Sequence, residues 1–125
     1  MNIIPKHKKD FETCEKLAFA SDADIIAVLP ELLECLQDYN WPIAEKVHER
    51  LKTIGEPLVE PIKSILRSND GAWKLFIIMC FLPAIDKSVS TQLHEELQRI
   101  VDLPTIHDIR EEVVIEAKEF LTENS

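Results

Sequence analysis

The chain has 125 residues, 46% hydrophobic and 30% charged, which fits one soluble globular domain that needs no metal or disulfide staple to hold its core. Its net charge is −9; with Lys6, Lys8 and Lys9 set aside, residues 10–125 carry 11 basic against 23 acidic side chains, which repels a phosphate backbone and favours a basic partner. Two glycines, Gly55 and Gly71, are too few for the turns of a β-sandwich or the phosphate loops of a nucleotide-binding domain, which leaves an all-α fold.

Residues 1–9 read as a flexible basic lead, and residues 10–125 as a single helical domain. Asp10 can cap a first helix over 11–20, with Phe11, Cys14, Leu17 and Ala18 on one face. Asp22 and Asp24 suit the start of a second, whose stripe of Ile25, Val28, Leu29, Leu32, Leu33 and Leu36 meets Pro30. A proline there predicts either a bent rod or a new helix beginning beside it. Asp38, Tyr39 and Asn40 form a turn in which Asn40 caps a helix over 41–53, and Gly55 supplies its left-handed stop. A fourth helix over 57–67 contains Pro61, which predicts either a first-turn position or a kink there.

Ser68, Asn69, Asp70 and Gly71 are the clearest turn in the chain. The run 73–82 after it is apolar on every side, as a central buried helix would be, with a β-strand as the competing reading. Pro83 ends it, Ser90 caps a helix over 91–102, and Thr105 with Asp108 resembles a capping box opening a last helix over 106–122. Ile109, Val113, Ala117, Phe120 and Leu121 form the predicted inner face of that helix. About seven helices with short loops, and the echo of Val28-Leu29-Pro30 in Val59-Glu60-Pro61 31 positions on, point to a short α-α superhelix of stacked pairs, HEAT- or armadillo-like.

Leu36-Gln37-Asp38-Tyr39-Asn40-Trp41-Pro42-Ile43-Ala44, then Gly55-Glu56-Pro57, then Ser68-Asn69-Asp70 and Trp73-Lys74, resembles a small bacterial domain family of unknown function. Its members carry a Leu-Gln-Asp-x-Asn-Trp-Pro-x-Ala motif and a later Asp-x-x-Trp-Lys motif. Leu75 departs from the aromatic residue usual after that lysine. The resemblance runs from about Lys8 to Leu121 and implies a HEAT-like array rather than an activity.

Chemistry-bearing patterns are sparse. Glu45 and His48 form one Glu-x-x-His pair, but a helical di-iron site needs two. His94-Glu95-Glu96 lacks the second histidine of a zinc-protease helix. Cys14, Cys35 and Cys80 are too widely spaced for a Cys-x-x-Cys site and suit small apolar roles in a reducing cytosol. No catalytic, metal or cofactor-binding residue is assigned, no membrane span is expected, and the predicted location is cytoplasmic. The acids of the last two helices outnumber their bases by six, which predicts an anionic face.

The candidate binding surface is the pair of tryptophan turns: Asp38, Asn40 and Trp41 with Asn69, Asp70, Trp73 and Lys74. The expected function is a non-enzymatic protein-protein interaction module, monomer or weak homodimer, in concrete form an inhibitor or immunity-type partner of a basic protein such as a nuclease toxin. The alternative is an enzymatic or small-molecule-binding domain with a pocket near Trp41 and Trp73. A HEAT-like DNA glycosylase is a third reading, opposed by the acidic charge. A buried Trp73 ring would make Trp73→Ala cost roughly 3–5 kcal/mol.

Overall fold

The computed structural model describes residues 2–124. Those residues are all-helical, with no strand among them, and the run 77–81 is helical rather than extended. The chain forms α1 (Phe11–Phe19), α2 (Asp22–Ala27), α3 (Leu29–Glu34), α4 (Ala44–Leu51), α5 (Val59–Leu66), α6 (Gly71–Phe76), α7 (Lys87–Ser90), α8 (His94–Asp102), α9 (Ile106–Arg110) and α10 (Val113–Glu123). Several run together: α6 continues through a π-helical turn at Ile77–Phe81 and a 3₁₀ turn at Leu82–Ala84, and α7 passes through Thr91–Leu93 into α8.

Local chemistry sets many of the boundaries. Asp10 accepts from the Thr13 N–H and caps α1, and Ser21 accepts from Asp24 to cap α2. Val28 interrupts the second rod, and Pro30 sits in the first turn of α3, where its missing N–H is not needed. The 3₁₀ turn Glu56–Leu58 leads into α5, and Pro61 again falls in an opening turn. Gly55 holds φ +88°, a conformation costly for any other residue, but it is not the expected left-handed stop: α4 ends at Leu51, and Gly55 opens the 3₁₀ turn instead.

One core runs through these elements. Leu32, Leu33, Ile43, Val47, Leu58, Ile62, Ile77, Phe81, Leu97, Ile100, Val113 and Ala117 are all essentially inaccessible. Helix α10 lies against α8 and α6, α5 touches α6 and α8, and α1 packs on α4.

Five further expectations are corrected. The basic lead is not separate from the domain: Ile3 and Pro5 are buried, and the Ile43 N–H donates to the Lys8 carbonyl. Met1 lies outside the described residues. Asn40 does not cap a helix, because α4 begins only at Ala44; its N–H donates to Asp38 Oδ1 at 2.9 Å within the turn. Ser90 is not a cap; it is buried and ends α7, which begins at Lys87. The central run is not buried on every side, since Met79 is 48% exposed. The last helix is broken: Glu112 takes a left-handed conformation, φ +61°, between α9 and α10. That break turns the apolar face of α9 outward, and Ile109 is 60% exposed instead of facing the core.

Candidate functional site

The turn between α5 and α6 is fixed by its own polar side chains. Ser68 Oγ donates to the Ile65 carbonyl at 2.7 Å and accepts from the Asp70 N–H. Asp70 Oδ1 then accepts from the Trp73 N–H at 3.0 Å and caps α6. Gly71 follows because nothing larger fits: a Cβ there would meet Cγ of Glu111, lie 2.8 Å from its Cβ and 3.0 Å from the His107 carbonyl oxygen. The chain where α9 ends is thereby brought against the first turn of α6.

This close approach seats Lys74. Its side chain is wholly buried, and Nζ lies 2.6 Å from Oδ1 of an equally buried Asp108. Asp108 Oδ2 accepts from the Thr105 N–H at 2.9 Å, and the Asp108 N–H donates to Thr105 Oγ1, so the expected capping box is complete. Burial alone would raise the Asp108 carboxyl, but the hydrogen bond from Lys74 and that from the Thr105 backbone outweigh it and hold the group below its ordinary value. Lys74 therefore leaves the predicted binding surface: it is an internal tie across 34 residues of sequence.

The Asp38–Trp41 turn is built differently. Asp38 accepts from the Asn40 N–H through its side chain and from the Trp41 N–H through its carbonyl. Tyr39 points inward, its hydroxyl 3.0 Å from His48 Nδ1, and its ring packs 5.5 Å from Phe76. The His48 ring meets Phe81 at 5.4 Å. Burial pushes the Tyr39 hydroxyl above its ordinary value and the His48 imidazole below its own. His48, half of the Glu-x-x-His pair, is thus engaged in an aromatic joint between this turn and the rod that begins at α6.

Both tryptophans reach the surface beside α3. Trp73 is half-buried and lines a concavity of 190 Å³ with Pro30, Leu33, Glu34, Pro61 and Ile65. Its indole N–H is shielded from solvent and has no hydrogen-bond partner among the described residues. Trp41 is 38% exposed and lines a second concavity of 270 Å³ with Pro5, Lys6, Glu31, Glu34 and Gln37. Glu34 borders both, so the two hollows adjoin across α3. Asp38, Asn40, Asn69 and Asp70 are exposed, but none of the four lines either concavity.

Glu31 and Glu34 were missed by the sequence reading, although a signal existed. They stand three apart on a helix whose other side is the buried Leu29, Leu32 and Leu33, so they must share its outer face. The anionic face of the last two helices is real but smaller than the sequence implies. Glu96 is held by Arg67 at 2.6 Å and Arg99 at 3.2 Å, and Asp108 is internal. What remains exposed on or beside α10 is a stripe including Glu112, Glu119 and Glu123, with half-buried Glu116 among them. Burial, then repulsion from Glu119, Glu123 and Glu112, raises the Glu116 carboxyl.

Among the described residues no three His, Cys, Asp or Glu side chains gather as a metal-holding group, and no helix is long and apolar enough to cross a membrane. No curated protein matches the chain significantly in sequence. A family described as Domain of unknown function (DUF5071) matches residues 3–121, from the buried Ile3 to the last turn of α10, and the chain belongs to that family.

Proposed function

We propose that this protein is an interaction module whose binding surface lies across α3, between Trp41 and Trp73. One observation carries the reading: two tryptophan-lined concavities adjoin across α3 and share Glu34 in their linings. Tryptophans in partly desolvated hollows are the side chains that most often dominate the energetics of protein interfaces. The hollows, at 190 and 270 Å³, are smaller than the roughly 300–1,000 Å³ that encloses a drug-sized ligand, so they suit single side chains of a partner better than a whole small molecule. A net charge of −9 favours a basic partner, electrostatically drawn toward the chain. In its concrete form the module neutralises a basic protein, as an inhibitor or immunity-type partner would. Rods paired in HEAT-like fashion would present such turns along one edge.

Site-specific photo-crosslinking in cells that make the protein tests the reading. A crosslinker at Gln37, exposed beside Trp41, should capture a basic protein that the same group at Glu119 on α10 does not. Purified, that partner should bind Trp41→Ala at least tenfold more weakly. A partner bound equally by Trp41→Ala, or no Gln37 adduct at all, overturns the proposal.

A further inference from the structure

We infer that the hollow beside Trp73 receives the guanidinium side chain of an arginine from the partner. The inference rests on the interaction reading above for the source of that arginine, and it names what the surface recognises.

The lining carries the argument. Pro30, Leu33, Pro61 and Ile65 give apolar walls, and Glu34 is the one charged residue bordering the hollow. An isolated carboxylate beside apolar walls asks for a cation carried on an apolar stem, which is what a long basic side chain is. Trp73 adds an indole to the same lining, and a planar guanidinium stacks on such rings more favourably than an ammonium.

Glu34 is free for the task. It is exposed, and no ion pair or side-chain hydrogen bond engages its carboxylate among the described residues. The acids around the fold's internal ties differ in this respect: Glu96 and Asp108 already hold cations of the chain itself. Ser68, also in the lining, spends its hydroxyl on the Ile65 carbonyl and the Asp70 N–H, which leaves Glu34 and the exposed Ser64 to meet a ligand's polar groups. The neighbouring hollow beside Trp41 contains Lys6 as well as Glu31 and Glu34, so its charge is partly offset. The cation is therefore assigned to the Trp73 side, and the residue next to it in the partner chain to the Trp41 side.

The chain holds two tryptophans, one in each hollow, so their two indole N–H signals in a ¹H–¹⁵N correlation spectrum report each site separately. The probe is N-acetyl-arginine-N-methylamide; the control is its citrulline analogue, equal in shape but neutral. The arginine probe should move the Trp73 signal saturably, with the citrulline probe at least tenfold weaker. Glu34→Gln, a change at an exposed and unpartnered side chain, should reduce the arginine probe to the citrulline level. No movement of the Trp73 signal, equal response to both probes, or an unaltered response in Glu34→Gln each overturns the assignment. If the probes fail while Gln37 still captures a basic protein in a Trp41-dependent way, the arginine pocket falls and the interaction reading stands. If the arginine probe binds as described but no protein is captured, the pocket stands and the interaction reading falls.

Discussion

Replacing Lys74 by methionine removes one half of a fully buried ion pair while keeping the length of the side chain. Asp108 is then left without its 2.6 Å partner in a site of zero solvent exposure. Breaking a buried pair from one side costs about 3–5 kcal/mol, because the remaining charge is neither solvated nor neutralised. For a chain of this size that is a large fraction of the total stability, on the order of 10 kcal/mol, and corresponds to a fall in Tm on the order of 15 °C. The sign of the pH dependence is also set. In the wild type Asp108 is held below its ordinary value, so its contribution is present above the unfolded-state value and is lost as pH falls through the folded one. In Lys74→Met, burial acts unopposed by the lysine and raises the same carboxyl. The deficit of the variant should therefore be full at pH 7 and shrink toward pH 4, where Asp108 can take up a proton. Urea unfolding followed by far-ultraviolet circular dichroism at both pH values checks this. A deficit below about 1 kcal/mol at pH 7, or one of equal size at pH 4, refutes the argument that an uncompensated buried charge is the cause.

Gly71→Ala should destabilise by about 1–3 kcal/mol, since the new methyl collides with Glu111 and the His107 carbonyl; an unchanged urea midpoint would show that α9 can shift freely away from α6. Trp73→Ala should cost about 2–3 kcal/mol, less than a wholly buried ring would, and Trp41→Ala, at 38% exposure, about 1 kcal/mol. Thermal unfolding of the two variants checks the order, and a reversed order would mean the Trp41 hollow is the structural one. Glu96 is held below its ordinary value, burial being outweighed by the Arg67 and Arg99 hydrogen bonds, and it adds to Asp108. Wild-type stability should begin to fall below about pH 6.5, where the unfolded chain protonates His48 and the folded one resists it, and drop further as pH falls through the depressed values of both carboxyls; Glu96→Gln should flatten that second drop in a urea series across pH 3–7.

Features set by neighbours in sequence were legible. Asp10 capping α1, the Thr105–Asp108 box and the restart of the helix beside Pro30 each depend on a few adjacent residues. What was misread depends on distant partners. Lys74 looks like an exposed charge beside a tryptophan, because its counter-ion stands 34 positions away and leaves no local trace. Ile109 keeps the spacing of a core residue, yet the left-handed Glu112 breaks the rod and turns it to solvent. Asn40 has the chemistry of a cap, but the helix after it begins only at Ala44, too far on for its side chain to serve. Of the candidate site, both tryptophans were recognised while Glu31, Glu34, Pro30 and Pro61 were not, since their meeting requires α3 and α5 to lie side by side.

The tie between Lys74 and Asp108 also constrains how this domain can diverge. A descendant that alters either residue alone must survive an intermediate with a stranded charge, so the two should be inherited together or exchanged together for an apolar pair. Pro30, Glu34, Pro61 and Ser64 carry no such obligation, and each can be replaced one step at a time. The lining of the hollow beside Trp73 can therefore change gradually while the interior stays locked.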